Sequence, residues 1–150
     1  MNPDTIFQIC GGLATVGWLL LIFGVRPRRL RPAFISSVSG GVIPLLLSAA
    51  YLVIILTHWP GHRGGFGSLS DVMLLFSNRW LVLAGWVHYL AFDLFIGSWQ
   101  AAEAQKTRIP HLLLVPCLAL TFLFGPIGWL CFYLLRAWHL RRGQIGFPAL

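Results

Sequence analysis

Charge is what this sequence has least of. Only 10% of its 150 residues are Asp, Glu, Lys or Arg, and only four of those are acidic. A soluble domain carries about 25% charged residues, and a disordered chain combines charge with low hydrophobicity. Here 57% of the residues are hydrophobic and the mean hydropathy is +0.78, so neither class fits. Cysteine is scarce as well. Cys10, Cys117 and Cys131 are odd in number, far apart and each inside an apolar segment. That pattern opposes a disulfide framework and a zinc site, and reads the three as small packing residues. A Gly-rich nucleotide loop, a Ser or Cys nucleophile motif and a haem-attachment cysteine pair are all missing. His58, His62, His88, His111 and His139 are scattered rather than clustered, which opposes a membrane di-iron centre.

The net charge of +7 invites a nucleic-acid reading, but its placement does not support one. Arg26, Arg28, Arg29 and Arg31 fall between two hydrophobic blocks, and Arg136, Arg141 and Arg142 follow the last of them. Those are the places for cytoplasmic anchoring charges and contacts with anionic lipid. The first block has Asp4 and no basic residue before it, the reverse of signal-peptide order, so it reads as a true spanning helix.

Hydropathy delimits four spans, at residues 6–25, 34–57, 80–100 and 111–138. Each is long enough to cross a hydrocarbon core about 30 Å thick. The expected fold is therefore an all-α membrane protein, a single four-helix domain over residues 1–150. The fourth span is long for one crossing, and Pro116 and the Gly125-Pro126 pair are expected to kink or tilt it. The connection 58–79 is too long for an idle turn. Within it Leu69, Val72, Met73 and Phe76 follow helical spacing, and Ser68 or Ser70 precedes Asp71 as a cap. A short amphipathic surface helix over 69–76 is expected between helices two and three. Small residues form stripes (Cys10, Ala14, Gly17; Gly41, Pro44, Ser48; Cys117, Thr121, Gly125, Gly128, Cys131) that let helices approach closely in the bundle interior. The turns expected inside hold Arg26, Arg28, Arg29, Arg31, Lys106 and Arg108, against Arg63, Arg79, Arg136, Arg141 and Arg142 opposite. That balance places both termini on the outer side of the membrane.

One residue breaks the apolar pattern of the third span. Asp93 lies near its middle, where a carboxylate costs about 2.5–3.5 kcal/mol to insert and so faces protein or a polar cavity. His88 precedes it by five residues, which places the two about 140° apart around the helix and out of contact. One stripe carries His88, Phe92, Phe95 and Trp99. The other carries Trp86, Tyr89, Asp93, Gly97 and Gln100. With no Lys or Arg at matching depth, Asp93 is expected to be protonated or hydrogen-bonded to hydroxyls such as Ser48 or Thr121. The bland alternative is that Asp93 and His88 serve as hydrogen-bonding glue between helices.

The run Trp86-Val-His-Tyr-Leu-Ala-Phe-Asp-Leu-Phe-Ile-Gly97 resembles the abscisic-acid-deficiency family of small integral membrane proteins. So do Ile109-Pro-His111, Pro116-Cys117, Thr121-Phe-Leu-Phe-Gly-Pro-Ile-Gly128 and Tyr133-Leu-Leu-Arg136. The family is named for a plant plastid member required to make neoxanthin. The resemblance implies a role in xanthophyll metabolism, with redox-neutral isomerisation of a xanthophyll epoxide to an allene as the reaction. Such chemistry needs an acid and a base and no cofactor. Asp93 and His88 are residues of the right type, and Trp86, Tyr89, Phe92, Phe95, Trp99 and Gln100 are the candidates for seating a polyene in a chain with 14% aromatic residues. The alternative from a different class is a non-catalytic pigment carrier. There His88 ligates (bacterio)chlorophyll magnesium, the aromatics hold carotenoid, and the chain is a homo-oligomer or an accessory subunit of a photosynthetic complex. Without a transit peptide, the expected setting is a bacterial inner or photosynthetic membrane.

Overall fold

The computed structural model describes residues 2–24 and 32–145, with the side chains of 2–24 and 34–141. Val25 and the arginines at 26, 28, 29 and 31 lie outside the described residues, as does the side chain of Arg142. Among the described residues every regular element is helical. They are α1 (Pro3–Gly24), α2 (Pro32–Ser37), a wide turn (Val38–Val42) leading directly into α3 (Ile43–His58), α4 (Leu69–Leu75), α5 (Arg79–Lys106), α6 (His111–Phe124) and α7 (Pro126–Ile145).

Three of these helical stretches are long and apolar enough to cross a membrane: Pro3–Gly24, Phe34–His58 and Arg79–Lys106. They are arranged around α5. α1 runs parallel to it, because Asp4 pairs with Arg79 at 2.8 Å near their starts while Gly17 meets Leu94 further along. The two helices interlock there. A Cβ on Gly17 would sit 2.6 Å from the Leu94 side chain, and one on Gly97 would sit 2.6 Å from Trp18. Each glycine is the socket for a large residue of the other helix, the close approach that small residues permit without water to drive association. α3 runs the opposite way, and its last residue, His58, stacks on Trp80 at 4.0 Å.

The entry to α3 is widened to a five-residue repeat, with the Ile43 N–H bonding the Val38 carbonyl. Pro44 explains it. In a regular helix its ring would press on the carbonyl four residues back and leave that oxygen without a donor. The wider turn relieves the clash and carries Ser39 into the core, where its hydroxyl donates to the Gly17 carbonyl at 3.0 Å. α4 lies where a surface helix was expected. Ser68 caps it by accepting the Asp71 N–H at 3.1 Å, and Phe76 closes it. Leu75 turns inward, whereas Leu69 and Met73 are exposed.

The fourth apolar block departs from expectation. It does not cross as one tilted helix. Pro116 leaves α6 unbroken, but the chain reverses at Gly125, with φ 40° and ψ −91°, and Pro126 starts a new helix. α6 has 14 residues, about 21 Å of rise, too short for a crossing. It starts beside the end of α1, where His111 Nε2 lies 2.8 Å from the Ile22 carbonyl oxygen. It stops beside Asp93, half-way along α5, since a Cβ on Gly125 would lie 2.8 Å from Asp93 Oδ1. α7 then retraces the path. Gly128 abuts Thr121, Phe132 meets Trp99 edge-on at 5.7 Å, and Arg136 pairs with Glu103 at 2.7 Å. α6 and α7 are a re-entrant hairpin, entering and leaving from one end of the bundle.

Three candidate crossings thus stand where four were expected. Asp4 and Arg136 sit at opposite ends of α5. The small-residue stripes are only partly interior. Cys10, Ala14, Gly17, Cys117, Thr121, Gly125 and Gly128 are buried, but Ser48 is exposed and with Gly41 and Pro44 lines an open groove. The hairpin makes a direct prediction. In a cysteine-free background, an impermeant thiol reagent should label Asn2→Cys and Arg141→Cys from opposite faces of the membrane. Labelling from the same face would mean that α7 crosses.

Candidate functional site

The hairpin tip and Asp93 define the candidate site. Gly125 is required there twice over. Its φ of 40° lies in the region that L side chains avoid, and any Cβ would collide with the Asp93 carboxylate. The turn leaves α7 with a bare N-terminus at mid-membrane depth. Its first internal bond runs from the Trp129 N–H to the Gly125 carbonyl at 3.2 Å. Helical geometry therefore frees the N–H groups of Ile127 and Gly128 and directs the positive end of the helix dipole to the place where Asp93 stands.

Asp93 is half-buried, and its Oδ2 is fully buried with no hydrogen-bond partner. It takes part in none of the three ion pairs found among the described residues. The expected hydroxyl partners are engaged elsewhere. Ser48 faces the groove on the other side of α5 with Ala91 and Phe92. Thr121 accepts from Gln100 Nε2 at 3.0 Å and donates to the Cys117 carbonyl at 2.8 Å. The side chain that interacts with Asp93 is Tyr89, one turn earlier. Its hydroxyl donates to the Phe122 carbonyl at 2.9 Å, one of the backbone groups that the end of α6 leaves open. A phenol donates only once, so with that proton committed the Tyr89 oxygen presents a lone pair towards Asp93.

The other sequence candidates separate into four groups. Trp86 stacks between Phe7 at 5.6 Å and Tyr89 at 5.4 Å, extending the Asp93 face towards the start of α5. Gln100 is fully buried, and with Gly97 it belongs to the packed interior. Trp99 leans on Phe132 of the hairpin. His88, Phe92 and Phe95 are exposed on a different face. His88 lies 5.7 Å from Tyr51 and 4.6 Å from Phe92, ring to ring, and borders an aromatic cavity of about 260 Å³ with Trp59, Phe66 and Phe76. Asp93 and His88 thus have different neighbours, as their spacing requires, and they cannot act on the same atom. Sequence reasoning missed Tyr51, which no local pattern marks. It also missed Tyr89 as the chemical partner of Asp93, although the i, i+4 spacing was legible.

Gln100 and Thr121 fix the hairpin to α5 with a buried hydrogen bond. Thr121→Val should therefore strand the Gln100 amide and cost about 1–3 kcal/mol. Thermal unfolding in detergent should record the loss, and an unchanged midpoint would show that the hairpin is held without this bond.

A family model described as ABA DEFICIENT 4-like matches residues 5–132. No curated protein and no solved structure matches the chain.

Proposed function

The chain belongs to the ABA DEFICIENT 4-like family, and from that membership, which points to a carotenoid- or xanthophyll-related function, we propose that it isomerises a xanthophyll epoxide at the tip of its hairpin. The observation that carries this reading is the Asp93 carboxyl group at the reversal of the hairpin, with a buried oxygen that has no hydrogen-bond partner among the described residues. Converting an epoxide to an allenic alcohol moves one proton and no net electrons. In its acid form Asp93 gives a proton to the epoxide oxygen as the C–O bond at the polyene-bearing ring carbon breaks. The adjoining chain carbon then loses its proton, and that electron pair becomes the second of the two cumulated double bonds. Asp93, now a carboxylate, takes this proton back and is regenerated. Tyr89 holds the carboxyl group in position. The free N–H groups at the start of α7 face the negative charge that develops on oxygen. His88 takes no part in these steps.

Asp93→Asn preserves shape and removes the transferable proton. In a host that makes epoxy-xanthophylls the variant should fold and yield no allenic product, whereas Tyr89→Phe should retain a fraction, slowed by about 10²-fold. Product levels equal to wild type in Asp93→Asn would remove the proposal.

A second reading, pigment carriage, is favoured by the exposed His88 beside the aromatic cavity formed by Tyr51, Trp59, Phe66 and Phe76. A mid-span imidazole there is a natural axial ligand. Under this reading, gently solubilised protein carries an absorption spectrum of bound pigment, and His88→Ala loses it selectively. Under the isomerase reading, His88→Ala leaves conversion intact. The hairpin also bears on orientation. Lys106, Arg108, Arg136 and Arg141 share one end of the bundle, against Arg63 and Arg79 at the other. We place the basic end at the cytoplasmic face of an energised bacterial membrane and the N-terminus outside.

A further inference from the structure

We propose that the seam between α2–α3 and α5, at the basic end of the bundle, is a binding site for one anionic phospholipid. Its phosphate lies at Lys106, its glycerol esters lie at Ser98, and one acyl chain lies along Gly40, Pro44 and Phe95. The starting observation is Ser98. A serine or threonine in a helix ordinarily returns its hydroxyl to the carbonyl four residues back. Thr15, Thr57 and Thr121 do so here, to Gly11, Val53 and Cys117. Ser98 is 95% buried, being 5% exposed, and its Oγ has no hydrogen-bond partner among the described residues. It stands instead in the wall of a cavity of about 240 Å³, together with Leu21, Ser36, Ala102, Gln105 and Lys106. A buried hydroxyl left unpaired costs about 1–3 kcal/mol, which a ligand oxygen recovers.

The cavity has polarity at its mouth and hydrocarbon behind it. Lys106, Gln105 and Ser36 ring the outer end. The ammonium of Lys106 is available for an anion. Among the described residues its one carboxylate neighbour, Glu103 Oε2, is 3.8 Å away, while Glu103 Oε1 is held by Arg136 at 2.7 Å. Nearer the middle of α5 lies a second cavity, of about 400 Å³, lined by Gly40, Gly41, Pro44, Ser48, Phe92 and Phe95. Gly40 of this second cavity packs directly on Ser98 of the first, since a Cβ there would come within 2.9 Å of Ser98 Oγ. On α5, residues 91, 95, 98, 102 and 105 form one continuous stripe under both cavities, about 21 Å long. A polar end beside a cation, a single hydroxyl below it and an apolar trough below that are the successive layers of a phospholipid. The trough lies on the face of α5 opposite Asp93, so its occupant is distinct from any substrate at the hairpin tip.

The test is native mass spectrometry of the detergent-solubilised protein, titrated separately with dioleoyl phosphatidylglycerol and dioleoyl phosphatidylcholine. The expected result is one phosphatidylglycerol retained in preference to phosphatidylcholine. Binding should be weakened about tenfold by Lys106→Gln, as loss of a charge-assisted hydrogen bond predicts. Ser98→Ala should weaken it about fivefold, and Arg141→Gln, a neutralisation elsewhere on the same end, should leave it unchanged. Equal retention of the two lipids would overturn the site. So would an Arg141→Gln loss as large as that of Lys106→Gln, because binding would then be diffuse attraction to a basic surface. If Ser98→Ala fails to fold, the contrast between Lys106→Gln and Arg141→Gln decides the matter alone.

Discussion

A chain that turns round inside hydrocarbon must cover the backbone groups that the turn sets free, and this constraint organises the whole molecule. Irregular backbone at membrane depth survives only against protein or a polar cavity. The reversal at Gly125 meets the requirement by lying against α5. There the Tyr89 hydroxyl donates to the Phe122 carbonyl, and the Gln100–Thr121 bond holds the hairpin about one turn of α6 from its tip. α5 can serve as that wall because α1, through the Gly17–Leu94 and Trp18–Gly97 sockets, and α3, through the His58–Trp80 stack, cover its other sides. The three crossing helices are thus a scaffold, and the hairpin is what they hold.

The same constraint accounts for Asp93. A carboxyl group in the middle of a span is costly in lipid. Here it stands where the start of α7 turns its positive end and its unpaired N–H groups towards α5. The two features are complementary: the turn supplies a polar environment for the acid, and the acid sits where the turn is most polar. Discontinuous helices bring reactive groups to mid-membrane depth in many transport proteins by this device. The proposed isomerisation uses it for proton transfer.

Much of this was legible in the sequence and some was not, for physical reasons. Span limits followed from hydropathy, because three helices have to satisfy their whole backbone across the bilayer. The surface helix at 69–75 was legible from its period and its Ser68 cap. The divergence of Asp93 and His88 followed from 100° per residue alone. The fourth block misled because hydropathy reports depth and not direction. A hairpin that dips into hydrocarbon and returns is as apolar as a helix that crosses. Only Gly125-Pro126 marked the difference, and a glycine-proline pair signals a kink as readily as a reversal. Tyr51, Ser98 and the groove over Gly40 depend on how helices distant in sequence face one another, which no local pattern encodes.

The account stands or falls on the direction of α7. The most direct measurement uses a protein whose native cysteines have been replaced, carrying Glu103→Cys with Arg136→Cys or, separately, Asp4→Cys with Arg136→Cys, each treated in membranes with a short thiol-to-thiol cross-linker. A returning α7 predicts an intramolecular cross-link in the first pair, identified by mass spectrometry of the joined peptides, and none in the second, whose members lie at opposite ends of a helix that spans the bilayer. A cross-link between positions 4 and 136, with none between 103 and 136, would show a fourth crossing and remove the hairpin tip from Asp93.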